Sequence, residues 1–261
     1  MQQGETNIVL VTPPDCAHAA GAYGLPLAQL CYRIGNGPHL FRAHAAAPRG
    51  GLMVVGDDHF DGQGDAGGFC REVIAECTAR RFSGLVLDLE AKPTKTIAEI
   101  IRTLSAHCAR NGWHFYLPEA YGNASDTAYI LISSAISGAT LKERLDTAVA
   151  RYGASRVVLC ISRAAEDFYL PAPEGKGRPL TREALRARMR ERAPAVFFSN
   201  ELCAHYFTYM SAEDGAHFVL FDDVGSIQQK MRLAEQLGVR QFFLFYAQLD
   251  DLMPGLFPKR Q

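Results

Sequence analysis

Short apolar runs alternate with amphipathic helical stretches along most of this chain, and that alternation limits the fold more than any single residue does. Residues 7–12 (NIVLVT) and 52–56 (LMVVG) read as buried strands, and so do residues 83–90 (SGLVLDLE), 113–120, 129–134, 156–162 and 241–246 (QFFLFY). Helical periodicity fills the gaps. Phe69, Val73, Ile74 and Cys77 share one face, as do Ile97, Ile100, Ile101, Leu104 and Cys108; residues 141–152 and 226–237 continue the pattern. Strands apolar on both faces need cover on both, and their alternation with helices implies a parallel sheet. Seven strands are clear in this pattern, and an eighth is expected within residues 27–44. No G-x-G-x-x-G loop follows any of them, which argues against an open dinucleotide-binding sheet. At 261 residues the chain has the length of a (β/α)8 barrel, the TIM-barrel architecture.

The alternation breaks between residues 164 and 221. Residues 171–179 (PAPEGKGRP) have loop composition, 181–192 form an arginine-rich helix, and 206–210 with 217–221 flank a Glu213-Asp214-Gly215 turn as a hairpin. This segment is expected to be an insertion between the last two strands of a single barrel domain spanning the chain. Its arginines (Arg182, Arg186, Arg188, Arg190, Arg192) are interrupted by Glu183 and Glu191 and read as a solvated helix face.

In a barrel, chemistry collects where strands end at the C-terminal face. Those ends carry Asp57 and Asp58, Asp88 and Glu90, Glu119 and Tyr121, Ser134 and Ser137, Arg163, then Tyr246 and Gln248. Asp88 and Glu90 are two apart on a strand, so both point the same way, with Val86 into the barrel; Leu85, Leu87 and Leu89 point to the helices. Two carboxylates this close repel when ionised, so one keeps its proton to higher pH, as a general acid requires. Tyr121 and Tyr246 have flat faces suited to stacking on a pyranose. Asp222 and Asp223 precede Ser226 and a helix, which reads as capping.

Residues 83–90 resemble the D-G-x-D-x-D-x-E strand of glycoside hydrolase family 18, the chitinase-like barrels. Residues 204–250 resemble the C-terminal part of that family, closest to its spore-germination, cortex-lytic glucosaminidases. The resemblance implies retaining hydrolysis of an N-acetylglucosamine-containing glycan, peptidoglycan of the spore cortex before chitin, with the substrate's own acetamide oxygen as nucleophile. It implies Glu90 as the acid and Asp88 as the group that orients the acetamide; from their places at the strand ends, Asp57, Asp58, Glu119, Tyr121, Ser134, Tyr246 and Gln248 are expected around the substrate. The family's first two acids fall on Ser83 and Val86, its strand-end tyrosine on Ser134 and its final-strand tryptophan on Tyr246. Those departures leave a second expectation open, a non-catalytic barrel that binds glycan or a protein partner. A barrel acting on sugar phosphates is disfavoured, because no glycine-rich loop follows Ser162 or Tyr246.

The net charge of −1 offers no field for nucleic acid or an anionic membrane, and no apolar run approaches the roughly 18 residues that span a bilayer. The first residues show no secretory signal pattern, which suggests a cytoplasmic or spore-associated protein. The eight histidines lack ligand spacing and the seven cysteines are scattered, so neither a metal, another cofactor nor a disulfide framework is expected.

Overall fold

The computed structural model describes residues 6–43, 49–58, 60–135, 140–170, 177–212 and 215–257. In chain order, β1 (Asn7–Thr12), α1 (Ala17–Gly21), β2 (Leu27–Gly35), β3 (His39–Arg42), β4 (Leu52–Gly56), α2 (Ala66–Arg80), β5 (Gly84–Asp88), α3 (Lys95–Asn111), β6 (His114–Pro118), β7 (Tyr129–Ser133), α4 (Leu141–Tyr152) and β8 (Val157–Ile161) build most of the barrel. An excursion follows: β9 (Ala165–Leu170), β10 (Arg178–Pro179), α5 (Arg182–Arg192), β11 (Phe197–Ser199), β12 (Ala204–Ser211) and β13 (Gly215–Phe221). The chain returns through α6 (Val224–Gln236), β14 (Gln241–Phe245), α7 (Tyr246–Leu249) and α8 (Met253–Leu256).

The parallel strands run β1-β14-β8-β7-β6-β5-β4-β2, and β1 also pairs with β2, so the sheet closes on itself. The eighth strand expected within residues 27–44 is β2, and β3 folds back on it as a hairpin from Tyr32↔Arg42 to Gly35↔His39. No α-helix joins β6 to β7; the 3-10 stretch Glu119–Ala124 takes its place.

Local chemistry sets the helix limits. Thr94 caps α3 by accepting from the Ile97 amide, and Gly112 ends it in a left-handed conformation. Thr140 and Glu143 form a reciprocal capping box on α4. Side chains alternate between two apolar layers. Leu85, Leu87 and Leu89 pack among the helices with Ile97, Ile101 and Leu104. Val9, Val11, Val54, Val86, Tyr116, Val158 and Phe243 fill the barrel interior, where Tyr116 stacks on Tyr129 and leans on Phe243. Gly84 lets β5 and β6 approach: a Cβ there would lie 2.4 Å from the His114 carbonyl oxygen.

The excursion is a five-stranded antiparallel sheet in the order β10-β9-β13-β12-β11. The hairpin of β12 and β13 pairs from His205↔Phe221 to Ser211↔Gly215. Glu213 and Asp214 of its turn, and residues 171–176 of the expected loop, lie outside the described residues. Helix α5 covers one face, burying Leu185 on Phe207, Val219 and Phe221. Its arginines are not a solvated face throughout. Arg182 pairs with Asp250, Arg186 with Asp251 (3.4 Å), and Arg188 with the buried Asp167, so the helix is stitched to the turn after α7 and to β9. Where the sheet rejoins the barrel, Asp223 caps α6, while Asp222 is buried and takes Lys230 Nζ at 2.6 Å, Ser226 Oγ at 2.7 Å and the Ala164 amide at 2.7 Å.

Candidate active site

Strand β5 places the central carboxylates. Val86 points into the barrel, so Asp88 rises on the same side at the C-terminal mouth; Leu89 returns to the helix layer and Glu90 follows on Asp88's side. The strand ends at Asp88, two residues before its expected limit, because the next amides bond elsewhere. The Asp57 carboxylate accepts from the Glu90 amide through Oδ1 and from the Ala91 amide through Oδ2, both at 2.9 Å. The Tyr121 hydroxyl donates to the Ala91 carbonyl at 2.5 Å. Three hydrogen bonds thus fix the backbone that carries Glu90.

This geometry gives Asp57 and Tyr121 definite roles. Asp57 is 6% exposed and spends both oxygens on the loop; Tyr121 is 4% exposed, so its ring offers no face for a sugar. Asp58 and Glu90 remain open to solvent.

Burial, then the charges of Glu90, Asp57 and Asp58, push the Asp88 carboxyl above its ordinary value. Asp88 nevertheless has substantial exposed surface. The surrounding strand ends thus deprive the carboxyl of part of its hydration while leaving part of its surface open to water. Asp88 also faces Cys160 on the far wall, whose thiol is pushed up by burial and then by Asp88's charge.

The other candidates separate by strand parity. On β7, Tyr129 and Leu131 pack against the interior cluster, so Ser133 is the residue that faces the mouth. Ser134 turns away: it is buried, and its Oγ accepts from the Ser162 amide at 3.3 Å. On β14, Phe243 and Phe245 face inward, whereas Tyr246 is buried in the helix layer beside Tyr23. The inward groups at these strand ends are therefore Ser133 and Phe245, one residue before Ser134 and Tyr246. Gln248 is exposed and accepts from the Arg163 amide at 3.0 Å, while Arg163 pairs with Asp251 at 2.7 Å. Glu119 is exposed, with Arg144 3.9 Å away. Ser137 lies outside the described residues. Trp113 sits at the opposite end of the barrel, edge-on to His107. Among the described residues no group of three or more His, Cys, Asp or Glu side chains is arranged to hold a metal, and no helix is long and apolar enough to cross a membrane.

No family model and no curated protein matches the sequence. Solved structures do. A spore cortex-lytic enzyme, SleL of Bacillus megaterium QM B1551, matches 100% of this chain and 76% of its own at a TM-score of 0.72 and 14% identity. A chitinase from Chromobacterium violaceum ATCC 12472 matches 92% of this chain and 93% of its own, with a TM-score of 0.70 and 17% identity. A family GH18 chitinase from Cycas revoluta, solved in complex with allosamidin, matches 96% and 98% at a TM-score of 0.64 and 14% identity. The likeness extends over nearly the whole chain in each case, so the chain shares its overall fold with these structures.

Proposed function

We propose that this chain is a glycoside hydrolase acting on an N-acetylglucosamine-containing glycan, with peptidoglycan favoured over chitin. The observation that carries the reading is the Asp88 carboxyl: set at the C-terminal mouth, raised in pKa by burial and by Glu90, and placed beside an open Glu90 whose backbone is clamped. The fold shared with chitinases and cortex-lytic enzymes supports it.

In this reading Glu90 donates a proton to the glycosidic oxygen as the C–O bond breaks. The acetamide carbonyl oxygen of the same sugar attacks the anomeric carbon from the opposite face and closes a ring intermediate. The Asp88 carboxylate accepts the acetamide N–H and stabilises the positive charge that develops on the nitrogen. Glu90, now a carboxylate, takes a proton from the water that reopens the intermediate, so configuration is retained and Glu90 is restored.

Glu90→Gln tests this directly. It keeps the shape and removes the transferable proton, so release of reducing ends from peptidoglycan and from an N-acetylglucosamine oligomer is expected to fall by about 100- to 10,000-fold with the melting temperature unchanged. Equal rates in wild type and variant would exclude Glu90 as the acid. Ser133 favours a second reading, a barrel that binds glycan without cleaving it, because a serine at this inward position reaches less far toward an acetamide than a tyrosine. Wild type that binds both glycans and cleaves neither would establish that alternative.

A further inference from the structure

The mouth is walled by carboxylates, yet an arginine of β2 shares their layer. The parallel register sets Arg33 of β2 beside Gly56 of β4, and Gly56 beside Asp88 of β5. Leu30 and Tyr32 flank an irregularity in β2 that resets its parity. Tyr32 and Ile34 then pack in the helix layer, where Tyr32 bonds Glu76, so Arg33 turns to the barrel-axis side with Gly56 and Asp88. Gly56 has no side chain to stand between them. Two strand spacings separate the Cα atoms of Arg33 and Asp88, roughly 10 Å, enough for a neighbouring sugar ring.

The hairpin holds this arginine in place. Phe41 faces Arg33 across β3 and lies over Gly35, where a Cβ would come within 2.0 Å of the Phe41 ring. The Arg33 guanidinium carbon sits 5.5 Å from the Phe41 ring centroid, at cation–π distance. Among the described residues Arg33 makes no hydrogen bond or ion pair with a carboxylate, although Asp57, Asp58, Asp88 and Glu90 crowd the strands beside it. It is exposed, and so is Phe41, at 44%. A guanidinium presents a planar fork of donors that matches a carboxylate. Beside these carboxylates, it is a place where an anionic substituent would meet attraction instead of repulsion.

We propose that Arg33, positioned by Phe41 and Gly35, binds a carboxylate on the sugar ring next to the one whose bond is cleaved, and so selects carboxylate-bearing glycans, such as those built with muramic acid whose lactyl carboxyl is free, over neutral chitin-like chains. This rests on the glycosidase reading above and names the substrate feature that the same mouth prefers.

The test uses the full chain carrying Glu90→Gln, to prevent turnover, and a matched ligand pair: one oligosaccharide containing N-acetylmuramic acid with its lactyl carboxyl free, and the same oligosaccharide with that carboxyl converted to the methylamide. Calorimetric affinities are measured with Arg33 intact, as Arg33→Gln and as Arg33→Lys. With Arg33 intact, the free carboxylate is expected to bind about tenfold or more tightly than the amide, the share of one charge-assisted hydrogen bond. In Arg33→Gln the preference collapses to within about twofold. Arg33→Lys keeps part of it, because an ammonium supplies charge without the fork. Phe41→Ala reduces it while preserving the sign. An equal preference in the intact and Arg33→Gln proteins overturns the assignment of Arg33 and leaves the glycosidase reading standing. Failure of the intact protein to bind either oligosaccharide overturns the glycan reading and the Arg33 site with it.

Discussion

The clamp made by Asp57 is the part of the site most open to a quantitative test. Asp57→Asn preserves the shape but turns one acceptor into a donor. One amide oxygen can still serve Glu90 or Ala91; the other position then sets an N–H against an N–H. Hydrogen bonds to a charged group contribute about 1.5–3 kcal/mol each, and a buried group left unsatisfied costs a similar amount. Both amides now held at 2.9 Å lose the charge, and one loses its partner. A destabilisation of about 2–4 kcal/mol follows, reduced somewhat because the loop borders the open mouth, where water can take over. For 261 residues the unfolding entropy is about 0.5 kcal/mol per degree, so the melting temperature should fall by about 4–7 °C. The catalytic effect should be larger in proportion, since a displacement of about 1 Å in a reacting group can cost on the order of 100-fold. Removing this negative neighbour also takes away one of the causes that raise Asp88, so any pH-rate limb due to Asp88 should move to lower pH. Thermal melting, glycan hydrolysis and its pH profile are the three readouts. If Asp57→Asn melts within about 1 °C of wild type and hydrolyses glycan at the same rate, the loop holds itself, and the clamp has no positioning role.

Three further outcomes are expected. Asp88→Asn should raise the melting temperature at pH 7: a carboxyl whose folded pKa is raised costs the fold stability progressively as pH climbs from the unfolded pKa to the folded one, and the gain should fade below about pH 4, where both folded and unfolded carboxyls become protonated; a gain that persists at pH 3 would contradict this. Lys230→Ala leaves Asp222 as a buried carboxylate without its cation and should cost about 3–5 kcal/mol in denaturant unfolding, so a loss below 1 kcal/mol would show that water reaches the pair. Ser134→Tyr should destabilise by about 1–3 kcal/mol because Ser134 is buried, whereas Ser133→Tyr should melt like wild type and place its hydroxyl in the mouth; the reverse order would mean the parity of β7 is misread.

The barrel was legible along the chain because the alternation of apolar strands with capped, amphipathic helices is a local property. The limits of α4 and β1 and the inward Asp88 above Val86 follow from residues close in sequence, and the closure of first strand on last follows from the order of the strands. The segment of residues 83–90 even declares its own phase, since Asp88 and Glu90 follow each other with period two. Strands β7 and β14 do not. Tyr129–Ser133 and Gln241–Phe245 are apolar on both faces, as strands between a barrel interior and a helix layer must be, so nothing in them marks which face is which. The reading therefore settled on Ser134 and Tyr246, one residue past the inward Ser133 and Phe245. Asp57 and Tyr121 looked like free site groups for a related reason. Their partners lie 34 and 30 positions away at Ala91, and a carboxylate that will bind substrate is indistinguishable in sequence from one that will hold a loop. Arg33 was hidden in the same way, inside a weakly patterned strand whose irregularity resets its parity, and it reaches the mouth only through pairing with β4. The pattern of residues determines which elements form and in what order; which side chains are consumed in holding them together, and which stay free for chemistry, depends on neighbours that meet only when the barrel closes.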